Sequence, residues 1–472
     1  MKTLNLDNLL QELPFSSFSC EDILSDALTR FDRKIIVLDD DPTGVQTVNG
    51  IPVYTSWDTG SINRGFLEEG MFFILTNSRG LSGPEAEKIN RDIALEVLSA
   101  SKTTGKDFVL ISRSDSTLRG HYPAETAMLR DTLENNGYPE FNGEIICPFF
   151  IEGGRYTYND IHYVCSGREL IPAGKTEFAK DKSFGYTSSN LREWVEEKTN
   201  GNFKKETIKS VSIETLRREG ADSVKKLLLE AKSFEKIIVN AVSYNDLRLF
   251  LAGYIDAVNE GKHFIFRSAA AIPKLLGGVS DKPLLNKDQL RQNSKNGGLV
   301  VIGSHVERTT KQLEQLLKLS DIEPVEFNQH LVLDKEEFET ERVRVQTILN
   351  RLIKDGKDVC LYTRRERLDM NTGNPDDELQ LSRIISDSVT GFVKGLTVQP
   401  SYIISKGGIT SSEIGTSGLS VKRAMVLGQV LPGVPVWHLG EESRFPGMAY
   451  IIFPGNVGEP DALASIVNLL KV

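Results

Sequence analysis

Short apolar runs alternate with amphipathic stretches along most of the chain. Strand-like runs stand at residues 34–38, 71–76, 107–112, 143–148, 236–240 and 263–267. Between several of them lie segments with helical spacing, such as residues 84–100 and 124–135. Because continuous apolar runs are typical of strands buried on both faces, this alternation predicts an α/β fold with a mainly parallel sheet.

The same alternation restarts after a polar, glycine-rich segment, Pro273 to Gly298. Buried-strand runs return at residues 299–302, 358–362 and 401–404. A chain of 472 residues also exceeds one ordinary hydrophobic core. We therefore predict two α/β domains with mainly parallel sheets and an active-site cleft between them. The predicted boundaries are an N-terminal domain over 1–275, a linker over 276–298 and a C-terminal domain over 299–472.

Composition narrows the class of protein. The chain is 39% hydrophobic and 26% charged with a net charge of -9, which argues against non-specific nucleic-acid binding. No apolar run approaches the roughly 18 residues needed to cross a membrane, and the N-terminus has no signal-peptide pattern. The four cysteines form no C-x-x-C pair, so neither a structural zinc site nor a disulfide framework is expected. We expect a cytoplasmic protein that binds neither nucleic acid nor membrane.

An acidic turn, Asp39-Asp40-Asp41, ends the first predicted strand. Ligands bind at the carboxyl edge of open α/β sheets, so these carboxylates are candidates for substrate binding and catalysis. Three adjacent carboxylates repel one another, which favours a compensating cation, basic group or polyol. The alternative is a helix N-cap with solvated acids.

A second polar loop, Ser112 to His121, follows another predicted strand. Arg113 and Arg119 can grip a carboxylate, and Ser116 and Thr117 can hold a polyol. Asp115 can take a proton from an attacking hydroxyl. A polar loop with internal salt bridges is the alternative interpretation.

Further arginines follow other predicted strands: Arg79, Arg155 and Arg267. Since parallel strands bring their carboxyl ends to one edge, we predict that these groups form one pocket for an anion and a polyol. The segment 150–200, which includes Arg155, is predicted to be a loop-rich elaboration facing the substrate.

Two glycine-rich turns mark the last quarter of the chain. Gly407-Gly408-Ile409-Thr410 follows one strand-like run and Gly455 follows another. Such turns point backbone N–H groups at an anion, which predicts a phosphate site. Lys406 is interpreted as either a phosphate contact or a surface lysine. No P-loop motif and no G-x-G-x-x-G motif are present.

The chain resembles the four-carbon acid sugar kinases, long catalogued as a domain of unknown function. The resemblance lies in motifs that run in the family's order along most of the chain: residues 38–44, 113–120, 148–163, 181–185, 303–304, 406–411, 428–437 and 453–458. Many members have an acidic residue in the glycine loop where this chain has Ile409. With isoleucine at this position, the chain is similar to a longer branch of the family that has the sequence K-G-G-I-T-S.

The resemblance implies a sugar-acid-binding N-terminal domain and an ATP-binding C-terminal domain. It places the nucleotide at Ser304, at the loop Gly407–Thr410 and at Gly455. It places the sugar acid at the 39–41 turn and the 113–119 loop.

Our hypothesis is an ATP-dependent, Mg²⁺-requiring kinase that phosphorylates the terminal hydroxyl of a sugar acid such as threonate, erythronate or a 3-oxo-tetronate. Asp40, Asp41 or Asp115 would orient and deprotonate that hydroxyl. The alternatives are a nucleotide-independent sugar-acid isomerase or lyase, and a non-catalytic sensor of nucleotide and sugar acid. The residues do not identify a metal site, and whether the chain forms a homodimer stays open.

Overall fold

The computed structural model describes residues 2–366, 368, 375–455 and 457–471. The strands are β1 (Leu4–Asn5), β2 (Lys34–Asp39), β3 (Pro52–Tyr54), β4 (Met71–Leu75), β5 (Phe108–Arg113), β6 (Gly143–Cys147), β7 (Arg155–Tyr158), β8 (Ile161–Ser166), β9 (Glu169–Pro172), β10 (Lys209–Val211), β11 (Glu235–Val239), β12 (Phe264–Ser268), β13 (Leu299–Ile302), β14 (Ile322–Phe327), β15 (Asp358–Thr363), β16 (Ile403–Lys406), β17 (Arg423–Leu431), β18 (Val434–Leu439) and β19 (Ala449–Phe453).

The α-helices are α1 (Leu6–Glu12), α2 (Cys20–Thr29), α3 (Thr59–Glu68), α4 (Gly83–Thr104), α5 (Ala124–Asn135), α6 (Leu191–Lys198), α7 (Ile213–Glu219), α8 (Ala221–Leu229), α9 (Tyr244–Asn259), α10 (Ala271–Leu276), α11 (Lys287–Leu290), α12 (Glu307–Leu316), α13 (Lys335–Lys354), α14 (Pro375–Lys394), α15 (Gly408–Glu413) and α16 (Ala462–Leu470). No helix within the described ranges is both long enough and apolar enough to span a membrane.

The chain divides into two compact units. The first unit comprises Met1–Val48 and Ser56–Asp281, and the second comprises Asn49–Thr55 and Lys282–Val472. The second unit therefore includes a short segment, carrying β3, that comes early in the sequence.

The main sheet of the first unit has seven parallel strands in the order β10-β11-β6-β12-β5-β2-β4. Every residue of β4, β5, β6 and β12 is buried, as the continuous apolar runs predicted. Helices α2, α8 and α9 pack together, and so do α3, α4 and α5. The predicted α/β class with a mainly parallel sheet is confirmed.

The strand order reverses at β2. Strand β4, the next strand of this sheet along the chain, pairs with one edge of β2, and β5 pairs with the other edge. The next strand of this sheet after β2 is β4, on one side, and the next strand after β5 is β6, on the opposite side. Such a reversal opens a crevice in which ligands of α/β proteins bind.

A second sheet covers much of the segment that was predicted to be loop-rich. Strands β1, β9, β8 and β7 form an antiparallel sheet in that order, and helix α6 follows. The prediction of mostly loop structure for residues 150–200 was therefore wrong, because these short strands have mixed aromatic and polar sequences that do not alternate clearly.

The second unit contains five parallel strands in the order β14-β15-β13-β16-β19. Antiparallel strands β18, β17 and β3 continue the sheet beyond β19. Residues of β17 alternate between buried and part-exposed, which is the pattern of a strand with one solvated face. Here the order reverses between β13 and β16, because the chain continues from β13 toward β14 on one side and from β16 toward β17 on the other.

Candidate active site

Charged side chains from four neighbouring strands meet at the carboxyl edge of the first unit's main sheet. Asp39 ends β2, Arg113 ends β5 and Arg267 lies near the end of β12. Arg79 follows β4 on a short 3₁₀ turn. The structure thus brings together the groups that the strand-end pattern placed at one edge.

Asp40 lies at the centre of this cluster and is buried. Its Oδ1 accepts from Arg79 Nη2 at 2.5 Å, and its Oδ2 accepts from Arg79 Nε at 3.2 Å and from Ser114 Oγ at 2.6 Å. Burial alone would raise the pKa of Asp40, but Arg79, Arg113 and Arg267 together lower it. Asp40 is therefore a buried carboxylate held ionised by surrounding guanidinium groups.

Asp39 differs from Asp40 in its hydrogen bonding and in its pKa. Arg113 Nη1 donates to its Oδ1 at 3.2 Å, while its buried Oδ2 has no hydrogen-bond partner within the described ranges. Burial raises the pKa of Asp39 to about 7, although Arg113 acts in the opposite direction. A Cβ at Gly44 would stand 2.0 Å from Asp39 Oδ2, so only glycine fits where the acidic turn passes this carboxyl group.

Asp41 and Asp115 are the less buried carboxylates of the cluster. Asp41 accepts from Thr43 N at 2.8 Å and forms an ion pair with Arg79 at 3.4 Å. Asp115 accepts from Arg119 Nε at 2.6 Å and from the hydroxyl of Thr117. Burial raises the pKa of Asp115, but Arg79, Arg119 and these hydrogen bonds outweigh it and hold the pKa well below its usual range.

Arg119 and Arg155 lie over the same aromatic ring. Their guanidinium carbons are 5.2 Å and 5.5 Å from the centroid of Phe178. Arg155 Nε is buried and has no hydrogen-bond partner among the residues that the structure describes, and burial lowers the pKa of this arginine. Ser116 is buried and its backbone carbonyl accepts from His162 Nε2 at 2.7 Å.

Gly120 closes the loop over the cluster. Its φ is +113°, and a Cβ there would stand 2.7 Å from Ser114 Oγ, 2.9 Å from Arg267 Nη2 and 3.2 Å from Asp40 Oδ2. The backbone therefore touches the charged groups directly, which a side chain would prevent.

Sequence reasoning missed one buried acid of this site. Glu125 accepts from Arg267 Nη1 at 2.8 Å and from Ser78 Oγ at 2.5 Å. It balances the charge of Arg267, which also contacts Ser112 Oγ at 3.3 Å. Glu125 stands in the first turn of α5, where acidic residues are common, so its sequence position gave no distinguishing signal.

The second unit brings three loops together at its own strand-order reversal. A Cβ at Gly303 would stand 2.5 Å from Thr410 Oγ1, and one at Gly407 would stand 3.0 Å from Ser304 Cβ. A Cβ at Gly455 would stand 3.3 Å from Ser304 Oγ. The nucleotide-site residues predicted after β13, β16 and β19 thus lie side by side. Asn456 of the same motif lies outside the described residues.

The glycine loop leads directly into α15, which begins at Gly408. The N–H groups of Gly408, Ile409 and Thr410 are at the start of this helix and have no acceptor inside it. Gly407 has a φ of +122° and donates its N–H to Phe453 O at 2.9 Å. The Ile409 side chain is 66% exposed, so it leaves the backbone of the loop accessible.

Lys406 is neither a surface lysine nor an exposed phosphate contact. It is buried, and its Nζ donates to the carbonyls of Pro454 and Gly455. Burial lowers its pKa to about 7. Lys406 therefore ties the loop after β16 to the loop after β19.

Arg365, after β15, is a second residue that the sequence did not single out. Its Nη2 donates to Ser304 O at 2.7 Å and to Thr310 Oγ1 at 2.9 Å, while its buried Nε and Nη1 have no hydrogen-bond partner in the described part of the chain. Strand β13 lies between β15 and β16. Arg365 therefore contacts the Ser304 turn from the β15 side, whereas the glycine loop approaches that turn from the β16 side. Its position directly after an apolar strand is the sequence feature that could have marked Arg365 as a candidate site residue.

The residues fit a nucleotide better than a metal held by protein alone. The three converging loops meet through glycines, at which a Cβ would crowd Ser304 or Thr410, and glycine-rich loops of this kind bind phosphates. No group of three or more His, Cys, Asp or Glu within the described ranges is arranged to hold a metal ion. Mg²⁺ is usually bound by one or two carboxylates and by substrate phosphates, so it needs no dedicated protein cage.

Comparison with known families agrees with this division. Residues 35–276 match a sugar-binding N-terminal domain, and residues 299–463 match a nucleotide-binding C-terminal domain. The chain belongs to the family that joins these two domains, which is the architecture of the four-carbon acid sugar kinases. The predicted family is thus confirmed. No curated protein was found to match the chain in sequence.

Solved structures share the fold. A Haemophilus influenzae protein assigned to a domain-of-unknown-function family is 18% identical, with a TM-score of 0.62 over 92% of this chain and 100% of that chain. A Salmonella typhimurium LT2 protein, described provisionally as a tRNA synthase, is 16% identical, with a TM-score of 0.67 over 93% of this chain and 100% of that chain. At these identities the likeness concerns the fold alone.

The close approach at Gly120 yields a stability prediction. Gly120→Ala should lower the free energy of unfolding by about 1–3 kcal/mol, because the methyl group meets Ser114 and Arg267 at a positive φ. The matched control is Gly80→Ala, where a Cβ would meet open space. Urea unfolding measures both variants. Equal stability of the two would contradict the packing described here.

The buried carboxyl group of Asp39 yields a pH prediction. Its folded pKa of about 7 lies above the unfolded value of about 3.9, so the folded state binds more protons between these values. Its contribution to stability is present below about pH 4 and is lost as pH rises through 7. The stability of the wild type relative to Asp39→Asn should therefore be lower at pH 8 than at pH 5. A difference in unfolding free energy that does not change with pH would refute this.

Proposed function

We propose that the protein is an ATP-dependent, Mg²⁺-requiring kinase that phosphorylates the terminal hydroxyl of a four-carbon sugar acid. The observation that carries the proposal is that one chain joins a sugar-binding domain, with a carboxylate–guanidinium cluster at its sheet edge, to a nucleotide-binding domain. A sugar acid carries hydroxyl groups that donate to carboxylate oxygens and a negative charge that nearby cations attract.

The acceptor hydroxyl would be held by the less buried acids, Asp41 or Asp115. Asp115 supports this role because its side chain is 12% exposed and its low pKa keeps it ionised at neutral pH. An ionised carboxylate accepts a hydrogen bond from the hydroxyl, aligns the oxygen and receives the proton as the new bond to phosphorus forms. Asp40, with both oxygens engaged, would instead keep Arg79 in position.

The phosphates of ATP would lie on the N–H groups at the start of α15, between the Ser304 turn and Gly455. This proposal is supported by the close approach of the three loops and by the exposure of Ile409. A backbone cradle needs no acidic side chain at position 409. Mg²⁺, when bound with the nucleotide, would neutralise charge on the transferred phosphoryl group.

The direct test follows ADP release by the purified chain with ATP, Mg²⁺ and a panel of threonate, erythronate and 3-oxo-tetronates. ADP formation that depends on the acid is expected. Consumption of an acid without ATP would favour the isomerase or lyase, and binding of both ligands without ADP would favour the sensor.

Substitution of Asp115 separates chemistry from nucleotide binding. Asp115→Asn should lower turnover by about 10²- to 10⁴-fold, because the acceptor hydroxyl loses its anionic partner, while ATP affinity stays nearly unchanged. The matched control is Asp222→Asn, since Asp222 is exposed on α8. Turnover is measured by ADP release, and ATP affinity is measured by titration calorimetry. Unchanged turnover would remove Asp115 from the mechanism.

A further inference from the structure

A polar cavity lies beside the charged cluster, within the first unit. Its volume is about 530 Å³, and its lining includes Arg79, Ser82, Gly120, His121, Ser183 and Lys198. Arg79 belongs to both features, because the same guanidinium that pairs with Asp40 also forms part of the cavity wall. The cavity is therefore continuous with the site of the proposed chemistry.

Lys198, the last residue of α6, gives this cavity a cation that forms no ion pair with a carboxylate of the described residues. Its Nζ donates to Gly185 O at 2.6 Å and to Phe184 O at 3.5 Å. No ion pair joins it to an acid in the part of the chain that the structure describes. Burial lowers the pKa of Lys198, so an anion nearby would stabilise its charged form.

The acids whose charge acts on Lys198 are already engaged elsewhere. Glu197 accepts from Thr187 N at 2.9 Å and from Thr187 Oγ1 at 2.8 Å. Asp181 accepts from the N–H groups of Ser183 and Phe184 at 2.9 Å and 3.0 Å. Neither acid comes within ion-pair distance of the Lys198 ammonium.

The arginines that the sequence favoured as carboxylate ligands are, in contrast, neutralised inside the protein. Arg113 is buried and contacts Asp39 at 3.2 Å. Arg119 contacts Asp115 at 2.6 Å and Asp181 at 3.7 Å. An incoming carboxylate would have to compete with these partners, whereas at Lys198 it would not.

The remaining lining suits a hydroxylated chain. His121 Nε2 lies 3.0 Å from the carbonyls of Ser78 and Leu81, and its Nδ1 makes no hydrogen bond within the described residues. Ser82 and Ser183 add hydroxyl groups to the wall. The volume falls within the roughly 300–1,000 Å³ of pockets that enclose small ligands.

We propose that this cavity binds the carboxylate end of the substrate, with Lys198 as the cation that recognises it. The ligand class is an open-chain polyhydroxy monocarboxylate whose hydroxyl-bearing end points toward Arg79 and the carboxylate cluster. The inference rests on the proposed function for the identity of the ligand, but it concerns binding of the acid and needs no phosphoryl transfer.

Titration calorimetry without nucleotide tests the inference, with threonate and erythronate as acids and erythritol as the neutral polyol of the same length. Wild type should bind an acid more tightly than erythritol. Lys198→Met should weaken binding of the acid by about 10- to 100-fold and leave erythritol binding unchanged, since only the acid carries the charge. Lys198→Arg should keep most of the preference for the acid.

The matched control is Lys182→Met, an exposed lysine in the adjoining loop, which should bind as wild type does. Equal loss of acid and erythritol affinity in Lys198→Met would reveal a structural role and overturn the inference. So would unchanged acid affinity, or no binding of any tested acid to wild type. If acids bind through Lys198 but no ADP forms, the kinase proposal fails and the cavity assignment stands.

Discussion

The need to neutralise Asp40 organises the first unit. A buried carboxylate is costly unless it is paired and hydrogen-bonded, and Asp40 is buried where β2 ends. Its partners come from separate loops: Arg79 after β4 and Ser114 after β5. Arg267 on β12 adds its charge and is itself balanced by Glu125. Electrostatic pairing therefore fixes how four strand ends and one helix meet.

The same topological feature recurs in the second unit with different chemistry. There the loops after β13, β16 and β19 meet through glycines and hydroxyl groups, because glycine backbones approach the side chains of Ser304 and Thr410. The buried Lys406 binds two carbonyls rather than a carboxylate, so the loops are linked without placing an acid near the cradle. One unit thus offers charged side chains and the other offers backbone N–H groups, which suits a hydroxylated acid and a phosphate chain respectively.

The sequence predicted correctly the features that depend on a single strand and on the residues that follow it. Buried runs such as residues 34–38 and 299–302 became β2 and β13, and polar residues after them reached the sheet edge. It was uninformative where the role of a residue depends on distant partners. Glu125 and Lys198 lie on helices, and nothing in their local sequence shows that Glu125 balances Arg267 or that Lys198 forms no ion pair within the described part of the chain. The local sequence around Lys406 does not show that this lysine is buried, because its burial depends on the loop after β19.

We infer that the sugar acid binds at the carboxylate–guanidinium cluster of the first unit. The most direct measurement is a crystal structure of the chain with a four-carbon sugar acid and a non-hydrolysable ATP analogue. We expect electron density for the acid in contact with Arg79 and with Asp41 or Asp115, and triphosphate density on the loop from Gly407 to Thr410. Electron density for the acid elsewhere in the molecule, with the ion pairs of the cluster intact and no acid beside them, would contradict this inference.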